Sequence, residues 1–187
     1  MDFLTPAQVI QGYTMGVFPM AHPEEDFTIY WYEPEMRGIL PLDGLKVSKS
    51  LKRAINKGEI EVSLDKDFPA VIKACSERDE TWISEEIQSV YTELFQDGYA
   101  HSVECWYDGE LVGGLYGVAI KRAFFGESMF HKKTDASKVA LFYLVEWLKR
   151  NDFELLDMQY LTPHLASMGG LEIPQKSYLK LLERALI

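Results

Sequence analysis

Cysteine is scarce. Cys75 and Cys105 are the two thiols of a 187-residue chain, and neither has a CxxC partner or a histidine at ligand spacing. A disulfide framework or a zinc site finds no support in that pattern, which leaves two buried free thiols. Long apolar runs are missing too: no stretch reaches the ~18 uncharged residues that a membrane helix requires. The opening MDFLTPAQVI carries no basic segment ahead of an apolar one, so the chain is expected to be cytoplasmic. Positive charge is also in deficit, with 19 Lys and Arg against 29 Asp and Glu and a formal charge of -10. Such a balance argues against wrapping duplex nucleic acid. A hydrophobic content of 47%, with 13% aromatic residues, in turn excludes a disordered acidic chain and predicts an ordinary globular core.

The basic charge that is present comes in two islands. Lys46, Lys49, Lys52, Arg53 and Lys57 give residues 46–57 a charge of +5 with no acid among them. Lys121, Arg122, Lys132, Lys133 and Lys138, near His131, leave residues 121–138 at +3. Each island reads either as a solvated face or as one side of a grip on a small polyanionic segment.

Thr5-Pro6-Ala7-Gln8 has the form of a capping box with proline at the first helical position, and Gly12 and Gly16 predict a short helix. From Phe18 to Pro34 the chain is rich in aromatics and proline, which excludes a central strand and predicts irregular backbone. A helix is expected over Lys46–Lys57 with Gly58 as its stop, then a strand over Ile60–Leu64 and a short helix from Asp67 to Cys75. Ser84–Asp97 reads as a helix closed by Gly98. Ala100–Tyr107 and Glu110–Val118 alternate with period two around Asp108-Gly109, a hairpin signal, and Arg122–Met129 continues the meander. Thr134 or Asp135 opens an amphipathic helix to Arg150, Phe153–Tyr160 is an apolar strand, and a last helix begins near Gln175. This order predicts an α+β fold.

Several residues sit oddly in these elements. Period two puts Phe153, Leu155, Asp157 and Gln159 on one strand face, where a carboxylate and an amide need partners. They read as a capped strand end or as an acceptor pair able to orient an amine. Glu127 lies inside Phe124-Phe125-Gly126-Glu127-Ser128-Met129-Phe130, either facing solvent or recognising a cation. Ser128 with His131 or His164 lacks the G-x-S-x-G elbow of a hydrolase. Gly113-Gly114-Leu115-Tyr116-Gly117 lacks both the P-loop Lys and a strand-to-helix context, and reads as a bulge, a close backbone approach, or a strand against which a ligand lies. His101 and Trp106, on the facing strand, are expected to pack in the core. Trp82, between an acidic turn and a helix start, reads as a core anchor or a stacking surface for a base.

Taken in order, Arg37-Gly38-Ile39-Leu40-Pro41, Thr81-Trp82-Ile83, Ala100-His101-Ser102-Val103-Glu104, Leu111 to Gly117, Gly126-Glu127-Ser128-Met129-Phe130 and Ala136-Ser137-Lys138 resemble the leucyl/phenylalanyl-tRNA–protein transferase family. Asp157-Met158-Gln159, His164-Leu165-Ala166-Ser167-Met168-Gly169 and Glu172-Ile173-Pro174 extend the resemblance, which runs from about Gly12 to Leu182. It implies an aminoacyltransferase that moves Leu or Phe, and weakly Met, from charged tRNA to the α-amino group of proteins beginning with Arg or Lys. The new N-terminus marks them for N-end-rule degradation. The implied fold is an acetyltransferase-like (GNAT-type) mixed sheet with flanking helices, preceded by a small abbreviated N-terminal domain. The division expected is 1–60 and 61–187, in a monomer without metal, coenzyme A or other cofactor.

Residue roles follow from the same resemblance. Asp157 and Gln159 match the catalytic pair that polarises the acceptor amine, and Glu127 with Asp157 matches the acidic pocket for the incoming Arg or Lys. Leu115, Phe124, Met129 and Leu144 match the lining of the aminoacyl pocket. Trp82 and Met20 fall near the terminal adenosine. Lys46, Lys49, Lys52, Arg53, Lys132 and Lys133 would track tRNA phosphates. Met20 stands where the family often has Trp, and Gln175 where Arg usually follows Ile-Pro. Two rivals are a coenzyme A-dependent N-acetyltransferase, whose pyrophosphate loop is not found in the sequence, and a non-catalytic module for basic N-termini.

Overall fold

The computed structural model describes residues 3–78 and 81–187. The acidic turn at Asp79-Glu80 lies outside them. Helix α1 (Pro6–Thr14) starts as its sequence dictates: the Thr5 side chain accepts from the Gln8 N–H while the Gln8 side chain accepts from the Thr5 N–H. Strands β1 (Phe18–His22) and β2 (Thr28–Tyr32) follow and pair antiparallel, so the stretch expected to be irregular is a hairpin. Its prolines are tolerated because the two strands form a sheet of their own, with no third neighbour to hydrogen-bond.

The other strands are β3 (Met36–Ile39), β4 (Glu61–Leu64), β5 (Ala100–Tyr107), β6 (Glu110–Ile120), β7 (Ala123–His131), β8 (Leu155–Gln159) and β9 (Leu171–Pro174). They form a seven-stranded sheet in the order β4-β5-β6-β7-β8-β3-β9, antiparallel except for β7 and β8. The parallel pair is joined by helix α5 (Ala136–Arg150), the crossover that parallel strands require. Helices α3 (Phe68–Ser76), α4 (Glu85–Gln96) and α7 (Gln175–Ala185) join α1 in one apolar cluster, with Phe68, Ile87, Tyr178 and Tyr13 at its centre. The other cluster is built from α5, α2 (Lys49–Lys57) and the short α6 (Pro163–Ser167), through residues such as Leu141, Leu51 and Leu165. The α+β class, with a mixed sheet and flanking helices, is the one expected.

One helix boundary moves. Ser48 caps α2 by accepting from Leu51 N, so that helix begins at Lys49 rather than Lys46. β3 lies inside the large sheet between β8 and β9, so Met36–Ile39 belongs to the same sheet as the strands that follow residue 60. Asp135 precedes α5 with a φ of 65° and no capping hydrogen bond from its side chain. Cys75 and Cys105 are buried free thiols, and burial pushes both up to about 12. Among the described residues no helix is long and apolar enough to cross a membrane.

Candidate active site

The site opens where two parallel strands part. β7 and β8 pair only from Ala123↔Leu155 to Phe125↔Asp157, although β7 continues to His131 and β8 to Gln159. Between the diverging ends lies a cavity of about 250 Å³, bounded by Gly126–Met129 on one strand and Met158–Tyr160 on the other. An apolar cavity of ~150 Å³ already admits benzene, so a Leu or Phe side chain fits this scale. Leu115, Met129, Leu141, Leu144, Met158 and Leu165 make its apolar wall. Glu127 and Gln159 supply a polar end, and Met20 and Trp82 line it from the hairpin side, where Ala21 N donates to Trp82 O at 3.3 Å.

Glu127 reaches the cavity through a register fault. Tyr116 pairs with Ser128 and Gly117 with Gly126, so Glu127 is the unpaired residue of a β-bulge. A bulge re-aims its extra side chain, which explains how an acid sits in an apolar strand. Its carboxylate accepts from the Tyr13 hydroxyl and from Gln159 Nε2 at 3.2 Å, with the Tyr91 hydroxyl 3.5 Å away. Burial raises its pKa to about 7, against the opposing influence of the Tyr13 and Gln159 hydrogen bonds.

Asp157 is different from the expectation. It is fully buried and absent from the cavity wall. Arg37 Nε and a terminal guanidinium nitrogen donate to its two oxygens at 2.9 and 2.6 Å, the Tyr178 hydroxyl donates at 2.8 Å, and Gln159 N donates at 2.8 Å. These four donors enclose its carboxylate, and Asp157, expected to meet the acceptor amine, lies behind Gln159 and outside the cavity. Burial works against the Arg37 charge, but the Asp157 hydrogen bonds and charge outweigh it and hold the guanidinium above its ordinary pKa. Gln159 has a φ of 61°, a left-handed conformation that costs roughly 1–2 kcal/mol and turns its N–H back onto Asp157.

Phe124 is also corrected. It is fully buried and does not line the cavity; its ring packs edge-on to Trp147 and Phe153 and covers Gly117, where a Cβ would lie 2.4 Å from it. The glycine run is likewise a matter of close packing: Gly113 faces Ala136 at 2.5 Å and Gly114 faces Val103 O at 2.7 Å, each measured from the position of a Cβ it lacks. Ser128 and His164 both line the cavity, yet Ser128 Oγ accepts from Arg78 at 2.8 Å and no hydrogen bond joins it to a histidine among the described residues. His101 bonds Asp65 at 2.8 Å, and Trp106 donates to Ser63 at 2.8 Å. Among the described residues no three His, Cys, Asp or Glu side chains are grouped to hold a metal.

The residues of the two basic islands do not line the cavity. Lys46, Lys49, Lys52, Arg53 and Lys132 are exposed, and Lys133 is half-buried with Nζ 3.7 Å from the Tyr107 ring centroid. Arg53 and Lys57 of the first island and Lys133 of the second line one surface groove, together with Glu59 and Asp135. Folding thus joins two islands far apart in sequence.

Residues 39–183 match the family described as leucyl/phenylalanyl-tRNA protein transferase, and residues 2–35 match the N-terminal domain of that family. The chain belongs to this family. A leucyl/phenylalanyl-tRNA–protein transferase of Ruegeria pomeroyi is 49% identical over 98% of this chain and 87% of its own length. Another, of Herpetosiphon aurantiacus, is 53% identical over 98% of this chain and 95% of its own. The crystal structure of FemX shares the fold, with a TM-score of 0.55 at 11% identity over 94% of this chain and 70% of that one. As a member of the leucyl/phenylalanyl-tRNA–protein transferase family, the chain is an aminoacyltransferase. Sequence reasoning missed Tyr13, Tyr91, Arg37, Tyr178 and Arg78 in this site. Each meets its partner across many residues of chain, for which no local pattern gives a signal.

Proposed function

We propose that this aminoacyltransferase moves Leu or Phe, and weakly Met, from charged tRNA to the α-amino group of proteins that begin with Arg or Lys. In this proposal it acts as a cytoplasmic monomer and marks those proteins for N-end-rule degradation. The supporting observation is the cavity: one apolar wall meets one acidic end at Glu127 and Gln159. The transferred side chain lies against Leu115, Met129 and Leu144, where burying a Leu or Phe is worth ~1.5–3 kcal/mol. One methylene more or less changes that by only ~1–3 kcal/mol, so some transfer of Met is expected. Trp82 and Met20 receive the terminal adenosine, and the groove between the basic islands receives tRNA phosphates.

In the reaction the acceptor nitrogen attacks the ester carbonyl carbon. An amide bond forms, the C–O bond to the terminal ribose breaks, and the proton lost by the amine ends on the freed ribose oxygen. Glu127 and Gln159 hold the acceptor, and Asp157 fixes Gln159 from behind. An ester is already activated, so holding the two reactants together supplies much of the acceleration, ~7 kcal/mol or more in favourable cases.

The test is to incubate the protein with labelled Leu-tRNA and a peptide beginning with Arg. Label on the peptide is expected, and none on a peptide whose α-amine is blocked. Acetyl transfer from acetyl coenzyme A in place of leucyl transfer would make the enzyme an acetyltransferase; transfer of neither group would make it a recognition module.

A further inference from the structure

The groups that hold Glu127 come from distant parts of the chain. Tyr13, in α1, donates its phenolic proton to Glu127 Oε1. Tyr91, in α4, lies 2.6 Å from the Tyr13 oxygen but 3.5 Å from Glu127 Oε2. A phenol has one proton to give, so with that of Tyr13 on the carboxylate, Tyr91 donates to Tyr13. Two hydroxyls thus form a chain that ends on the acid. Both are wholly enclosed, and burial pushes both phenols well above their ordinary pKa, so they remain proton donors through the neutral range.

Packing alone does not require this alignment. Tyr13 stacks on Phe125 with ring centroids 4.5 Å apart, a contact that phenylalanine would make equally well. Tyr116, buried in the same wall, has a hydroxyl without a hydrogen-bond partner among the described residues. The Tyr13 and Tyr91 hydroxyls, by contrast, are directed at one carboxylate. Other groups facing Glu127 are Gln159 and Asp157 from β8, Arg37 from β3 and Tyr116 from β6. Asp157 and Arg37 form an ion pair and act on Glu127 in opposite senses, so the hydrogen-bond donors are left to stabilise its charge.

We propose that Tyr13, backed by Tyr91, is a positioning residue for aminoacyl transfer: its hydroxyl keeps Glu127 ionised and aimed at the incoming amine. The N-terminal helix is then a working part of the acceptor site. This rests on the assignment of Glu127 to acceptor recognition made above. The sign of the pH effect follows. The carboxylate form binds a cationic N-terminus, so activity climbs as pH rises through the Glu127 midpoint, and loss of a donor moves that midpoint upward.

The experiment measures leucyl transfer to an Arg-initiated peptide across the neutral range for wild type, Tyr13→Phe, Tyr91→Phe and Glu127→Gln. For Tyr13→Phe we expect the acidic limb of kcat/KM to move up by about one pH unit and peptide KM at neutral pH to rise about tenfold, with KM for Leu-tRNA unchanged. Tyr91→Phe should move both in the same direction by less. Infrared difference spectra with 13C-labelled glutamate should show the Glu127 carboxyl staying protonated to higher pH in Tyr13→Phe. A folded Tyr13→Phe with the wild-type limb and peptide KM would overturn the proposal. If that variant does not fold, Tyr91→Phe decides, and an unmoved limb there overturns it equally. Glu127→Gln separates the two levels: a limb that survives this change removes Glu127 from acceptor recognition, whereas a limb lost here but unmoved in the tyrosine variants removes only the tyrosines.

Discussion

Asp157 receives four hydrogen bonds and has no exposed surface, so removing it is first a structural event. Asp157→Ala leaves the Arg37 guanidinium buried and unpaired, and a loss of about 3–5 kcal/mol is expected in urea unfolding. Transfer should fall at least tenfold as well, because Gln159 loses the carboxylate that holds its left-handed backbone. Replacing both partners, Arg37→Met with Asp157→Leu, separates these effects, since an apolar pair of similar volume often restores stability. Recovered stability with transfer still impaired is the expected pattern. Recovery of both would confine Asp157 to the folding of the strand. Glu127, Asp157 and Gln159 were legible in the sequence because an acid or amide in an apolar strand is a local anomaly. Their partners were not: Tyr13 meets Glu127 across 114 residues and Arg37 meets Asp157 across 120, and no period connects such positions. Phe124 shows the converse limit, for its match to the family's pocket lining did not place it in the cavity.

At the scale of elements, the legible features carried their own punctuation. Thr5, Asp67 and Ser84 cap the helices expected of them, and Gly58 closes α2 with a φ of 63°. β3 and β9 have four residues each and acquire their role only by pairing with each other, with β8 completing the set. The bulge that exposes Glu127 is likewise a property of two strands and is absent from either alone. The seat of α5 on β6 is the element contact most open to test. Gly113 lies so close to this helix that a Cβ would sit 2.5 Å from Ala136 Cβ and 3.1 Å from its carbonyl carbon. Gly113→Ala must lift the start of α5, and overpacking of this kind costs about 1–3 kcal/mol. Leu141 and Leu144 ride on the same helix and line the cavity, so weaker leucyl transfer should accompany the lower unfolding midpoint. An unchanged midpoint in thermal or urea melts would mean that the sheet and α5 yield at no cost.

For the whole molecule the question is how a chain of formal charge -10 binds a polyanion. The fold brings Arg53 and Lys57 beside Lys133 along one groove, with Glu59 and Asp135 among them, while Glu127 lines a separate cavity. That meeting could not be read from the chain, because residues 46–57 and 121–138 are brought together only by the packing of α2 on α5. If the groove holds tRNA phosphates, reversing Arg53, Lys57 and Lys133 to Glu must act on affinity for charged tRNA and leave use of the acceptor peptide intact. Each phosphate contact contributes about 0.7–0.9 to the slope of log affinity against log salt, so losing three flattens that slope by about 2–3. Titrating Leu-tRNA binding over a range of potassium chloride concentrations reads this directly, and the loss of affinity should be largest at low salt. A triple variant that binds more weakly with an unchanged slope would have lost shape rather than charge contacts, and one with unchanged affinity and slope would place the tRNA elsewhere.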